Sequence, residues 1–84
     1  MTVEVFQRKD GRFCQSCFAV KAWLTKLGVP FVERELTDDV ALEYRDQGFR
    51  EQPIVVAYGK AHSGFKPQRL QEIAHAYHGR EEKS

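Results

Sequence analysis

Arg12-Phe13-Cys14-Gln15-Ser16-Cys17 carries the two cysteines of this chain, spaced C-x-x-C. An apolar run, Val3-Glu4-Val5-Phe6, precedes it, and a helix-like run from Phe18 to Gly28 follows. Strand, loop, C-x-x-C and helix, in that order, form the pattern of a redox pair beside a βαβ unit. The first thiol then falls at the open N-terminus of a helix, where unpaired N–H groups and the helix dipole favour negative charge. Thiolate is the form that attacks disulfides, so that placement activates Cys14. Cys17, nearly one turn further on, lies close enough to close a ring with it.

Two other uses of the pair are open. A purely structural disulfide across so short a loop would remove little chain entropy. Half of a metal site is the stronger rival, with His75 and His78 supplying an H-x-x-H pair, although the separation far exceeds that of a zinc finger.

Working from the pair to the whole chain, 84 residues suffice for one small domain with one core. Thirteen basic and twelve acidic side chains leave a net charge of +1, which gives no reason to expect nucleic acid or an anionic membrane as partner. No apolar run reaches transmembrane length. Met1-Thr2-Val3-Glu4 lacks a basic segment followed by an apolar one, so no secretory signal is read there. The expectation is a reducing, cytoplasmic setting, in which a C-x-x-C pair cycles between states. A monomer is the default expectation. The domain is expected to span residues 1–79, with 80–84 as a flexible C-terminal tail.

Thr2 to Gln7 reads as the first strand. Arg8-Lys9-Asp10-Gly11 forms a turn, and Arg8, Lys9 and Arg12 are candidates for stabilising a thiolate at Cys14. From Gln15 to Leu27, the residues Cys17, Val20, Leu24 and Leu27 recur on one helical face, which places Cys17 on the core side. Trp23 and Phe18 lie off that stripe and are read as second-layer packing. Gly28 stops the helix.

Phe31 to Leu36, rich in charge, reads as an edge strand. Thr37-Asp38-Asp39 cap a helix to about Gln47, with Val40, Ala41 and Tyr44 inward and Gly48 ending it. Pro53 to Tyr58 is the most apolar run and so the central strand, with Pro53 at its start. Gly59-Lys60 makes a tight turn into a short strand, Ala61-His62-Ser63, where His62 is read as a strand-edge residue. Pro67 opens the last helix, striped by Leu70, Ile73, Ala74 and Tyr77. The order βαβαββα describes an α/β fold, a four-stranded mixed sheet flanked by three helices on both faces.

Three features together resemble the NrdH-redoxins, glutaredoxin-sized members of the thioredoxin superfamily. They are the C-x-x-C after the first strand, the proline in Gln52-Pro53-Ile54-Val55-Val56, and Ser63-Gly64-Phe65-Lys66-Pro67 before the last helix. The resemblance runs from about Val3 to Tyr77. It implies a thioredoxin-like fold and a thiol–disulfide oxidoreductase with no bound cofactor or metal. It also implies electron transfer from thioredoxin reductase to the large subunit of a class Ib ribonucleotide reductase.

In that reading Cys14 attacks and Cys17 resolves. Pro53 is cis and faces the pair, and the backbone at Gln52 pairs with substrate in β fashion. Phe13, Gln15, Ser16, Ser63, Gly64, Phe65 and Lys66 complete the substrate-facing set. For Phe65 a core position is the alternative, and for Gly64 a plain turn. Lys66 is expected to order the loop beside the cysteines. Two departures stand out: the loop before Cys14 is longer than usual and lacks a proline just ahead of it, and the dipeptide Gln15-Ser16 is atypical. The nearest rival is a glutathione-dependent glutaredoxin. In place of that group's Gly-Gly pair and downstream acidic residues, this chain has Ser63-Gly64-Phe65-Lys66-Pro67-Gln68. From another class comes a metal-binding module using Cys14, Cys17, His75 and His78.

Overall fold

The computed structural model describes residues 2–82, with side chains described for 2–79. Its elements are β1 (Val3–Gln7), α1 (Gln15–Lys26), β2 (Phe31–Glu35), α2 (Asp38–Asp46), β3 (Ile54–Ala57), β4 (Lys60–Ser63) and α3 (Pro67–Glu82). The expected βαβαββα order is what is found. Helix α3 continues to Glu82, past the domain boundary expected at residue 79; Lys83 and Ser84 lie outside the described residues.

The sheet runs β2-β1-β3-β4. β1 pairs parallel with β2, in register Val3 with Phe31, and antiparallel with β3, in register Val5 with Val55. β3 pairs antiparallel with β4, placing Val55 opposite His62. A parallel neighbour needs a crossover, which α1 supplies. Four of the five residues of β2 are exposed, as charge at an edge strand demands.

Alternation along β1 divides the two layers. Val3 and Val5 enter the main core with Val20, Leu24, Val29, Val55, Ala57, Leu70 and Ala74. That face carries α1 and α3. Phe6 points the other way and meets Tyr44 of α2, ring centroids 6.1 Å apart. The striped residues of α1 and α3 are therefore where their periodicity placed them, and each fully buried Leu contributes about 1.5–3 kcal/mol. Helix α2 is shallower: Val40, Ala41 and Tyr44 are half-buried, and none of its residues is fully buried.

The hairpin turn sits one residue earlier than the sequence suggests. Ala57 pairs with Lys60, so Tyr58-Gly59 are the central residues, with φ of +51° and +76°. A two-residue hairpin of this hand needs positive φ at both positions, which costs Gly nothing and is imposed on Tyr58 by the strand register. His62 is also corrected. β4 is an edge strand, but the His62 side chain turns inward beneath α3 and is 6% exposed.

Candidate active site

Cys14 is the N-cap of α1, with φ −114° and ψ 104°. Its Sγ accepts the backbone N–H of Cys17 at 3.2 Å, the bond an N-cap side chain normally makes. The first turn of α1 holds no acidic residue to oppose negative charge there. Cys17 is fully buried, Cys14 half-buried, and the two are joined as a disulfide with Cα atoms 5.2 Å apart. The asymmetry expected from the helical stripe is thus present in space: an accessible sulfur at the helix tip and a sheltered one behind it.

Two further loops converge on the pair. The Gln52–Pro53 peptide is cis. Gln52 Oε1 lies 4.0 Å from Cys17 Sγ and accepts the backbone N–H of Arg8 at 2.9 Å. From the other side, the N–H of Gly64 donates to the carbonyl of Pro53 at 2.9 Å, carrying the β3–β4 ladder one step past Ser63. Gly64 has φ +76°, a backbone conformation that favours glycine; a Cβ there would meet the carboxylate end of the exposed Glu51 side chain, which is free to swing aside. Lys66 Nζ donates to the carbonyl of Ser63 at 2.5 Å, closing the loop on itself.

Gln15 is exposed and Ser16 half-buried, both on the first turn beside the sulfurs. Phe65 is half-buried, its ring edge-on to Trp23 at 5.7 Å and packed on the core, so it belongs to the core alternative. Trp23 is second-layer packing, as read. Phe18 is not. It is 62% exposed and meets the ring of Phe13, itself 78% exposed, at 6.1 Å. Following Cys17 directly, Phe18 is turned about 100° from the buried stripe, and the loop brings Phe13 to it.

The loop before Cys14 is held at several points. Arg8 Nη1 pairs with Asp38 at the start of α2 at 2.6 Å, so its charge is compensated there and is not directed at Cys14. The backbone N–H of Arg12 donates to Asp10 Oδ1 at 3.0 Å, a local turn bond. Sequence reasoning missed the Arg8–Gln52 and Glu51–Gly64 contacts. Both join residues far apart in the chain, and neither has a periodic signal.

The four proposed metal ligands do not meet. His78 Nε2 bonds the carbonyl of Leu27 at 2.7 Å, at the far end of α1 from the cysteines. Twelve helical residues put those ends about 18 Å apart. Among the described residues no group of three or more His, Cys, Asp or Glu is gathered for a metal, and no helix is long and apolar enough to cross a membrane.

Comparison with known proteins agrees with this geometry. The family model described as glutaredoxin matches residues 3–60. A glutaredoxin-like protein NrdH from Salmonella typhimurium is 32% identical over 75 residues, covering 87% of this chain and 89% of its own. Its Escherichia coli counterpart is 30% identical over 80 residues, covering 93% and 95%. The solved structure of the Escherichia coli glutaredoxin-like NrdH-redoxin superposes with a TM-score of 0.74 at 29% identity, over 87% of this chain and 95% of that one. A glutaredoxin from Archaeoglobus fulgidus, 20% identical, shares the fold with a TM-score of 0.65 over 84% and 83%. The glutaredoxin match ends before Ser63, whereas an 80-residue alignment to NrdH must include the loop from Ser63 to Pro67. With a C-x-x-C pair at a helix tip and a cis proline beside it, the chain belongs to the glutaredoxin family as an NrdH-type redoxin, a thiol–disulfide oxidoreductase.

Proposed function

We propose that this redoxin is a dithiol electron carrier for a protein disulfide, with the large subunit of a class Ib ribonucleotide reductase as acceptor and thioredoxin reductase as donor. The observation that carries the reading is the N-cap position of Cys14 over a buried Cys17. Cys14, as thiolate, attacks one sulfur of the acceptor's disulfide; a mixed disulfide forms and the other acceptor sulfur leaves as thiolate. Cys17 then gives up its proton and attacks Cys14 Sγ. The bond from Cys14 to the acceptor breaks, and the acceptor's second sulfur leaves and is protonated. Two electrons have moved, and the Cys14–Cys17 disulfide awaits its reductase.

The surroundings suit a protein partner. The exposed Phe13–Phe18 pair flanks the nucleophile with apolar surface, of the kind that buries against a partner. Gln52 before the cis proline offers backbone for β-type pairing with the acceptor's chain. Gln15 and Ser16 on the first turn of α1, and Ser63, Gly64 and Lys66 by the resemblance, are assigned to the same approach. The acceptor assignment rests on likeness to relatives named NrdH. The reductase assignment rests on likeness to the Escherichia coli NrdH-redoxin, described by its thioredoxin-like activity profile.

The family's other donor is glutathione. Helix α3 opens with no acidic residue in its first turn, and Lys66 lies just before it, so the tripeptide's amine lacks a carboxylate partner there. NADPH consumption with insulin as acceptor separates the two. Turnover is expected with thioredoxin reductase and not with glutathione plus glutathione reductase. The reverse pattern replaces this reading with a glutathione-dependent glutaredoxin.

A further inference from the structure

Cys17 is fully buried, and a buried donor needs an acceptor. Among the described residues, the side-chain acceptor within reach of its sulfur is Gln52 Oε1, 4.0 Å away in the disulfide form. The identity of that amide atom is fixed independently. The backbone N–H of Arg8 donates to it at 2.9 Å, and an N–H donor cannot be satisfied by the amide nitrogen, so the atom facing Cys17 is the oxygen. Two nearby charged groups are engaged elsewhere: the Arg8 guanidinium by Asp38 and the Lys66 ammonium by the Ser63 carbonyl.

We propose that the Gln52 side chain, oriented by the Arg8 main chain, is a positioning residue that holds the proton on the resolving thiol. In the reduced protein Cys17 S–H donates to Gln52 Oε1. A neutral carbonyl oxygen accepts from the thiol and repels the thiolate, so Cys17 stays protonated while Cys14, at the helix tip, ionises. The disulfide has no S–H to donate, so the bond favours the dithiol and makes the protein a weaker reductant. During resolution the bond is lost as Cys17 Sγ joins Cys14 Sγ and the Cys17 proton passes to the departing thiolate. The long loop before Cys14 acquires a purpose here, since its first residue supplies the N–H that sets the amide.

The inference rests on the roles proposed above for the two sulfurs, but its test involves neither partner nor reductase. In a Cys14→Ser background, carbon-13 NMR of the Cys17 Cβ reports the titration of that thiol alone. Gln52→Leu is expected to make Cys17 about fivefold more acidic, the worth of one net hydrogen bond; Cys17 is already fully buried, so Leu adds little desolvation. Gln52→Glu keeps an acceptor for Arg8, adds negative charge and is expected to make Cys17 less acidic. A role limited to loop packing would move both variants the same way. With Cys14 restored, Gln52→Leu is expected to shift the equilibrium with glutathione about fivefold toward the disulfide, roughly 20 mV more reducing. The proposal is overturned if Cys17 titrates unchanged in Gln52→Leu, or if the two variants shift it in the same direction. Gln52→Glu, nearly isosteric, keeps the test decisive should the Leu variant fail to fold.

Discussion

Cys14 occupies a position that Ser, Thr, Asp or Asn ordinarily fills, and it makes the same bond those residues make, accepting the N–H of Cys17. The cap and the proposed nucleophile are one atom. Charge on that atom completes the helix N-terminus, so ionisation is favoured by local structure alone. Cys17, one turn on and sealed, has no such assistance, and this difference is the ground for the order of attack we propose. Cys17→Ser protein, reduced and mixed with a disulfide-bearing acceptor, is therefore expected to accumulate a covalent adduct through Cys14, visible by non-reducing electrophoresis and intact mass. Cys14→Ser is expected to form at least tenfold less, since a buried thiol has neither access nor ionisation in its favour. Equal trapping by both variants would reverse the roles assigned to the sulfurs.

Helix α1 is fixed at both ends by different chemistry. Its N-terminus is closed by Cys14; at its C-terminus Gly28 takes φ +73°, and His78, fifty-one residues downstream of Leu27, bonds the Leu27 carbonyl. The glycine stop was legible, because a helical stripe followed by Gly and Pro has few other readings. The histidine was not. An H-x-x-H pair invites a metal reading, and nothing local says that one of its members reaches a carbonyl on another helix. Replacing His78 with Ala leaves one of the last carbonyls of α1 without that partner. The expected cost is about 1 kcal/mol in urea unfolding, with the alkylation rate of Cys14 unchanged, because the reactive end of α1 lies about 18 Å away. A loss of thiol reactivity in this variant would mean that the two ends of the helix are coupled. The Tyr58 turn failed for a related reason. Gly59 announced a hairpin, but the pairing of Ala57 with Lys60 decides which residues become central, and register is a property of two strands.

Across the molecule, the parts with a period were readable and the parts without one were not. Alternation in β1, the unbroken apolar run of β3, the stripes of α1 and α3, and the charged edge strand β2 together constrained the topology. The Arg8–Gln52 contact, the Phe13–Phe18 pair and the inward turn of His62 depend on how loops and edges close, which no single segment encodes. His62 provides a global test. It is buried beneath α3, and that burial, reinforced by Lys66 and Arg69 and opposed by Glu72, lowers its pKa to about 4 from the ordinary 6.5. The folded state therefore holds His62 neutral while the unfolded chain protonates it below about pH 6.5. Its contribution to stability is present above that pH and is lost as pH falls toward 4, with a slope of at most about 1.4 kcal/mol per pH unit. In an 84-residue domain with one core, total stability is small enough for this to be measurable. Urea unfolding at pH 7.5, 6.0, 5.0 and 4.5 is expected to show His62→Phe, which cannot titrate, losing less stability across the acid limb than the parent. Carboxylates titrate in both proteins and cancel in the difference, so parallel curves for the two would show that His62 accepts its proton while still folded.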